Sequence, residues 1–114
     1  MNIKVYKTKV SGSELKELAQ AGYDDMIKGV VDLEQKIVAL GGELHADCEE
    51  ILLAKGSQQI DLWGFNIYPK KKKEERLEYT SFINIRPKQG NFQIEIKDEN
   101  LRQRVKEVVD GLIE

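Results

Sequence analysis

The chain has 114 residues, 40% of them apolar and 33% charged, with 18 basic side chains set against 20 acidic ones and a single cysteine. That length suits one domain, residues 1–114, able to bury a core without a disulfide or a structural metal. The near balance of charge leaves little long-range field, which argues against a nucleic-acid partner, and one cysteine excludes an internal disulfide framework.

No run approaches the ~18 apolar residues of a membrane span, so no membrane partner is expected. The amino terminus alternates Lys with apolar residues and lacks the continuous apolar core of a secretory signal. A reducing cytoplasm is the expected compartment. Abundant Lys and Glu with few Met and Cys give a thermophile-like composition.

Ile3 and Val5 alternate with Lys4 and Tyr6, which predicts a first strand over residues 2–8. Ser11 and Glu14 have the spacing of a capping box, with Val10 and Leu15 placed to flank it. From there Ala19, Tyr23, Met26, Val30, Leu33, Ile37 and Leu40 recur at spacings of four and three, which predicts helix over 12–40. Unbroken, it would run ~43 Å, longer than such a domain is wide, so a bend is expected near Gly22. Gly41 and Gly42 end it. Residues 43–53 fit either state: Ala, Glu and Leu favour a helix, but Leu44, Ala46 and Cys48 alternate with His45, Asp47 and Glu49. The turn residues Lys55-Gly56-Ser57 and the aromatic and β-branched run from Ile60 to Tyr68 favour reading 43–53 as the first arm of a hairpin.

Pro69 and the run Lys70–Glu75 form a solvated tip. Residues 76–86 predict a strand with Leu77, Tyr79, Ser81, Ile83 and Ile85 on one side, followed by a turn at 87–91 and a period-two run of Phe92, Ile94 and Ile96. Asp98 caps a last helix carrying Leu101, Val105, Val108, Val109, Leu112 and Ile113 on one face. Together these elements predict an α+β fold: a mainly antiparallel sheet, a meander of three to four strands plus an N-terminal strand, with helices packed on one face. The other face would be open.

On that open face the strand parity gathers His45, Asp47, Asn66, Asn84 and Arg86 as the candidate ligand-binding residues. A guanidinium among such donors is what recognition of a carboxylate or phosphate requires, and His45 would add a donor below about pH 6.5. His45, Asp47 and Glu49 also carry metal-ligand chemistry, but three ligands in one strand make no metal signature, and no metal or other cofactor is expected. Alternation puts Cys48 opposite His45, so the thiol reads as a buried structural residue. Lys70–Lys73 reads as hydrated charge, being followed at once by Glu74 and Glu75.

Gly41–Asp47, Asp61–Pro69 and Ile83–Pro87 together resemble a family of short prokaryotic proteins that constitutes a domain of unknown function, over nearly the whole chain. The resemblance implies a small stand-alone domain and transfers no activity and no functional residue. Function is therefore unknown at this level. The first reading is a binding module for a small anionic ligand on the polar sheet face. The second is a structural or regulatory interaction protein that forms a homodimer through that face, with Leu62, Phe82 and Tyr68 as an apolar patch; a metal-dependent enzyme comes third.

Overall fold

A computed structural model of the protein describes residues 2–114. Its sheet comprises β1 (Ile3–Tyr6), β2 (Ile27–Asp32), β3 (Ile37–Gly41), β4 (Leu62–Ile67) and β5 (Leu77–Glu78). All neighbours are antiparallel, in the order β1-β3-β2-β4-β5. Three helices, α1 (Gly12–Ala21), α2 (His45–Ala54) and α3 (Glu99–Leu112), pack against it among the described residues, so the fold is α+β with an antiparallel sheet, as expected.

The layers differ from the expectation. Every residue of β4 is buried, and so is nearly every residue of β2 and β3, because both faces are covered. On one side α1 and α3 place Leu15, Ala19, Val105 and Val109 against Val31, Val38, Trp63 and Phe65. On the other side α2 places Cys48 and Leu52 against Val30, Ala39 and Leu62. Among the described residues neither face of the central strands is left open.

Helix α1 begins where the capping residues put it, with Glu14 N–H donating to Ser11 Oγ at 3.2 Å. It ends at Ala21, with Gly22 as its cap, so the helix stops where only a bend was expected, and the second half of the expected helix is a β-hairpin. Helical spacing misled because a strand buried on both faces is apolar at every position and satisfies any period. The β-branched content of Ile27, Val30, Val31, Ile37 and Val38 was the better signal. The turn between β2 and β3 is organised by Asp32, whose Oδ1 accepts from the N–H groups of Glu34 and Gln35, both at 2.9 Å, while Lys36 takes φ 56°. Ser57 Oγ donates to Asp32 Oδ2 at 2.6 Å, locking that turn to the end of α2.

Residues 43–53 are also corrected, from strand to helix. Cys48 and Leu52, four apart, fill the second core, whereas Leu44 and Ala46 of the apparent alternation stay exposed. The expected strand 76–86 shortens to β5, since Ser81 accepts from Ile83 N–H and starts a tight turn at Phe82–Asn84. Phe92–Ile96 forms no regular strand; a single bridge joins Glu95 to Thr80. Helix α3 keeps its expected Asp98 cap, which accepts from Asn100 N–H at 2.8 Å.

Because the sheet separates the two cores, substitutions on opposite sides should act independently. Leu52→Ala should cost about 2–5 kcal/mol and Ile96→Val about 0.5–1.5 kcal/mol. Urea unfolding of the double variant should return their sum to within about 0.5 kcal/mol; a larger departure would mean that both residues share one core.

Candidate functional site

β5 pairs with β4 only at Asn66 and Ile67, so the rest of the outer edge of β4 has no strand beside it. Side chains from residues 84–86 take that place. The Asn84 amide accepts from Gly64 N–H at 2.8 Å and donates to Gly64 C=O at 3.0 Å, reproducing the two bonds a neighbouring strand would make. Gly64 is required there, since a Cβ would come within 2.5 Å of Ser81. Arg86 continues the edge: Nη2 donates to Leu62 C=O at 2.6 Å, Nη1 to Gln59 C=O at 2.7 Å and to Gln89 Oε1, and Nε to Ile83 C=O at 2.8 Å. A weaker bond from Nη2 to Glu49 at 3.5 Å uses the fifth N–H, and the guanidinium lies 4.8 Å from the centre of the Trp63 ring. Buried and fully engaged, Arg86 has no donor left for a ligand.

His45 and Asn66 meet at the other end of β4. His45 Nε2 lies 2.8 Å from Asn66 Oδ1 and 2.9 Å from the Phe65 carbonyl oxygen. Both are acceptors, because Asn66 Nδ2 is committed to Glu78 at 2.7 Å, so Nε2 carries the proton and Nδ1 keeps its lone pair. Burial pushes the His45 pKa below its ordinary 6.5, outweighing the bonds that favour its charged form. The imidazole is therefore neutral and oriented by a carboxylate acting through an amide.

The five sequence-derived residues thus separate into three groups. His45 and Asn66 form one contact; Asn84 and Arg86 seal the edge of β4; Asp47 is exposed on α2 and makes no hydrogen bond to the others among the described residues. Leu62 and Asn66 are four residues apart, about 13 Å along a strand, so Arg86 and His45 do not converge on one small ligand. Sequence reading missed Glu78, which sets the Asn66 amide, whereas Glu49, which reaches Arg86, belongs to the row with His45 and Asp47 that the sequence had already singled out. Cys48 donates to Gly41 C=O at 3.2 Å and burial raises its pKa to about 12, so it is a structural thiol. Among the described residues no three His, Cys, Asp or Glu side chains converge on a metal.

A family described as protein of unknown function (DUF5674) matches residues 4–112. The chain belongs to that family. No curated protein and no solved structure matches this member. None of its described helices is long and apolar enough to cross a membrane.

One further feature of this DUF5674 domain concerns the segment 79–96, an irregular hairpin joined by the Thr80–Glu95 and Arg86–Asn91 bridges. Three of its long polar side chains, those of Asn84, Arg86 and Asn91, are buried. Asn91 Nδ2 donates to the carbonyls of Asn84, Gln93 and Glu95 at 2.7, 2.9 and 3.1 Å, and Asn84 and Arg86 face β4. Four of its apolar side chains are exposed, Phe82 by 84%, Phe92 by 72%, Ile85 by 43% and Ile94 by 40%, while Ile83 and Ile96 pack against the two cores. Of the expected patch, Phe82 is at the surface, Tyr68 is half-buried and Leu62 is core.

Two measurements check this geometry. Asn84→Ala leaves the Gly64 N–H and C=O unpaired and should cost on the order of 2–4 kcal/mol in urea unfolding. For His45, the unfolded chain holds a proton that the folded chain releases, so its contribution to stability is present above about pH 6.5 and is lost as the pH falls through the lower folded pKa. The urea midpoint should fall between about pH 7.5 and about pH 5.5, and His45→Gln should flatten that slope.

Proposed function

We propose that the protein is a homotypic interaction module that associates through the outer surface of the hairpin 79–96. The observation that carries this reading is the inversion of that hairpin, whose amides and guanidinium are buried while two Phe and two Ile face solvent. Burying Asn84, Arg86 and Asn91 costs desolvation and is stable only because each is hydrogen-bonded throughout. The product of that arrangement is four exposed apolar side chains on one hairpin.

Exposed apolar area of this kind marks interaction surfaces. The four side chains together offer on the order of 400 Å², close to the apolar share of the roughly 800 Å² that one partner contributes to a standard interface. Exposed Lys88, Gln89 and Gln93 lie beside it in sequence and supply a polar rim. A second copy presents the same platform, and a net charge of −2 gives little repulsion between copies.

A small-anion reading rests on other residues. With every Arg86 donor engaged, an anion would be met at the far end of β4, where Lys28 pairs in register with Asn66 beside His45.

Light scattering across the micromolar range should give a dimer mass for the native chain. The double change Phe82→Ser and Phe92→Ser should weaken association at least about 100-fold, as loss of two interface anchors does, with melting temperature unchanged when both proteins are compared at dilutions where each is monomeric, because neither ring is in a core. A monomer mass at several hundred micromolar would overturn the proposal.

A further inference from the structure

We infer that the cleft between α1 and the glycine end of β3 binds a small zwitterion with an apolar side chain, of the chemical class of the aliphatic α-amino acids. The cleft has a volume of about 200 Å³, below the roughly 300 Å³ at which drug-sized pockets begin, so its occupant is small. It is separate from the hairpin 79–96, and the inference does not depend on self-association.

One wall comes from α1. Glu14, Glu17, Leu18 and Ala21 stand at i, i+3, i+4 and i+7, so they form one stripe along the helix, two carboxylates followed by two apolar side chains. The opposite wall comes from the sheet. Lys4 on β1 pairs with Leu40, and Lys28 on β2 precedes Gly29, which pairs with Leu40 from the other side, so the two lysines flank the end of β3. Between them the chain runs through Gly41 and Gly42 at φ 105° and 80°, where a Cβ would strike the Asn2 carbonyl or the Ile3 side chain. The backbone itself is therefore the floor of the cleft there, with Met26 and Ile27 completing the apolar part.

The charges are what select the ligand. Among the described residues, none of Lys4, Lys28, Glu14 and Glu17 takes part in an ion pair, although all four line one cleft. Lys28 is held in place by the Tyr23 ring, 5.1 Å from its ammonium, and Tyr23 is fixed in turn by donating to Glu43 C=O at 2.7 Å. A simple anion entering here would meet two carboxylates and a simple cation two ammonium groups. A ligand carrying both charges satisfies both walls, with its carboxylate on the lysines and its ammonium on the glutamates, while its side chain covers Leu18, Ala21 and Met26.

Amide NMR titration with L-leucine tests this, with isocaproate and isoamylamine as the analogues that lack the ammonium and the carboxylate respectively. Leucine should give saturable shifts at Gly22, Gly41 and Gly42 below about 10 mM, and each analogue should bind about tenfold or more weakly. Lys28→Gln should weaken leucine and isocaproate but not isoamylamine, and Glu17→Gln should weaken leucine and isoamylamine but not isocaproate; both sites are on the surface, and an unchanged melting temperature confirms the fold. Absence of saturable shifts, equal binding of all three compounds, or shifts confined to the hairpin 79–96 would each overturn the inference. A dimer without leucine binding would leave the self-association standing, and leucine binding to a monomer would do the reverse.

Discussion

The paired hydrogen bonds between the Asn84 side chain and the backbone of Gly64 are the interaction on which the outer half of the structure depends. β4 is buried on both faces, so its backbone groups need partners along both edges, and β5 supplies them over only two residues. An amide side chain has the same donor and acceptor as a peptide group, and Asn84 presents them to Gly64 as a strand would. Arg86 extends the same solution to Leu62 with a donor that can serve several carbonyls at once. The absence of a side chain at Gly64 lets the segment come close enough.

That solution has a consequence for the surface. When polar side chains of a segment turn inward to complete a sheet edge, fewer of its apolar residues can enter a core. Ile83 and Ile96 do reach the two cores, one on each side, but Phe82, Ile85, Phe92 and Ile94 remain outside. The apolar platform and the sealed edge are therefore two aspects of one arrangement. Arg76 plays a comparable part at the other end of the protein: its guanidinium donates to the Glu114 carbonyl at 2.8 Å and pairs with Asp110, fixing the end of α3 against the start of β5.

Opposite ends of the sheet carry different chemistry for the same geometric reason. At the end where β4 starts, the charged group is buried and spent on backbone carbonyls. At the end where β3 and β4 finish, the strands give way to Gly41, Gly42 and the first turn of α2, and polar side chains remain accessible around Lys28 and the neutral, oriented His45. The proposed ligand cleft lies at the second end, and the proposed association surface on the hairpin that seals the first.

The sequence by itself determined the α+β class, the caps at Ser11 and Asp98, an interruption of the first helix near Gly22 and the amphipathic face of α3, because each rests on contacts within a few residues. It also determined that Val30, Leu33, Ile37, Val105 and Val109 are buried, since apolar character alone predicts that, whatever the conformation. Only the tertiary structure decided that 27–41 is a hairpin, that 45–54 is a helix covering the second face, and that His45 and Arg86 lie at opposite ends of β4. Strands enclosed on both sides lose the alternation that would reveal them, and a helix closing a second core needs only the two inward residues Cys48 and Leu52. The inversion of 79–96 was likewise beyond local reading, because whether Asn84 and Arg86 face water or a backbone edge depends on β4, some twenty residues away in the chain.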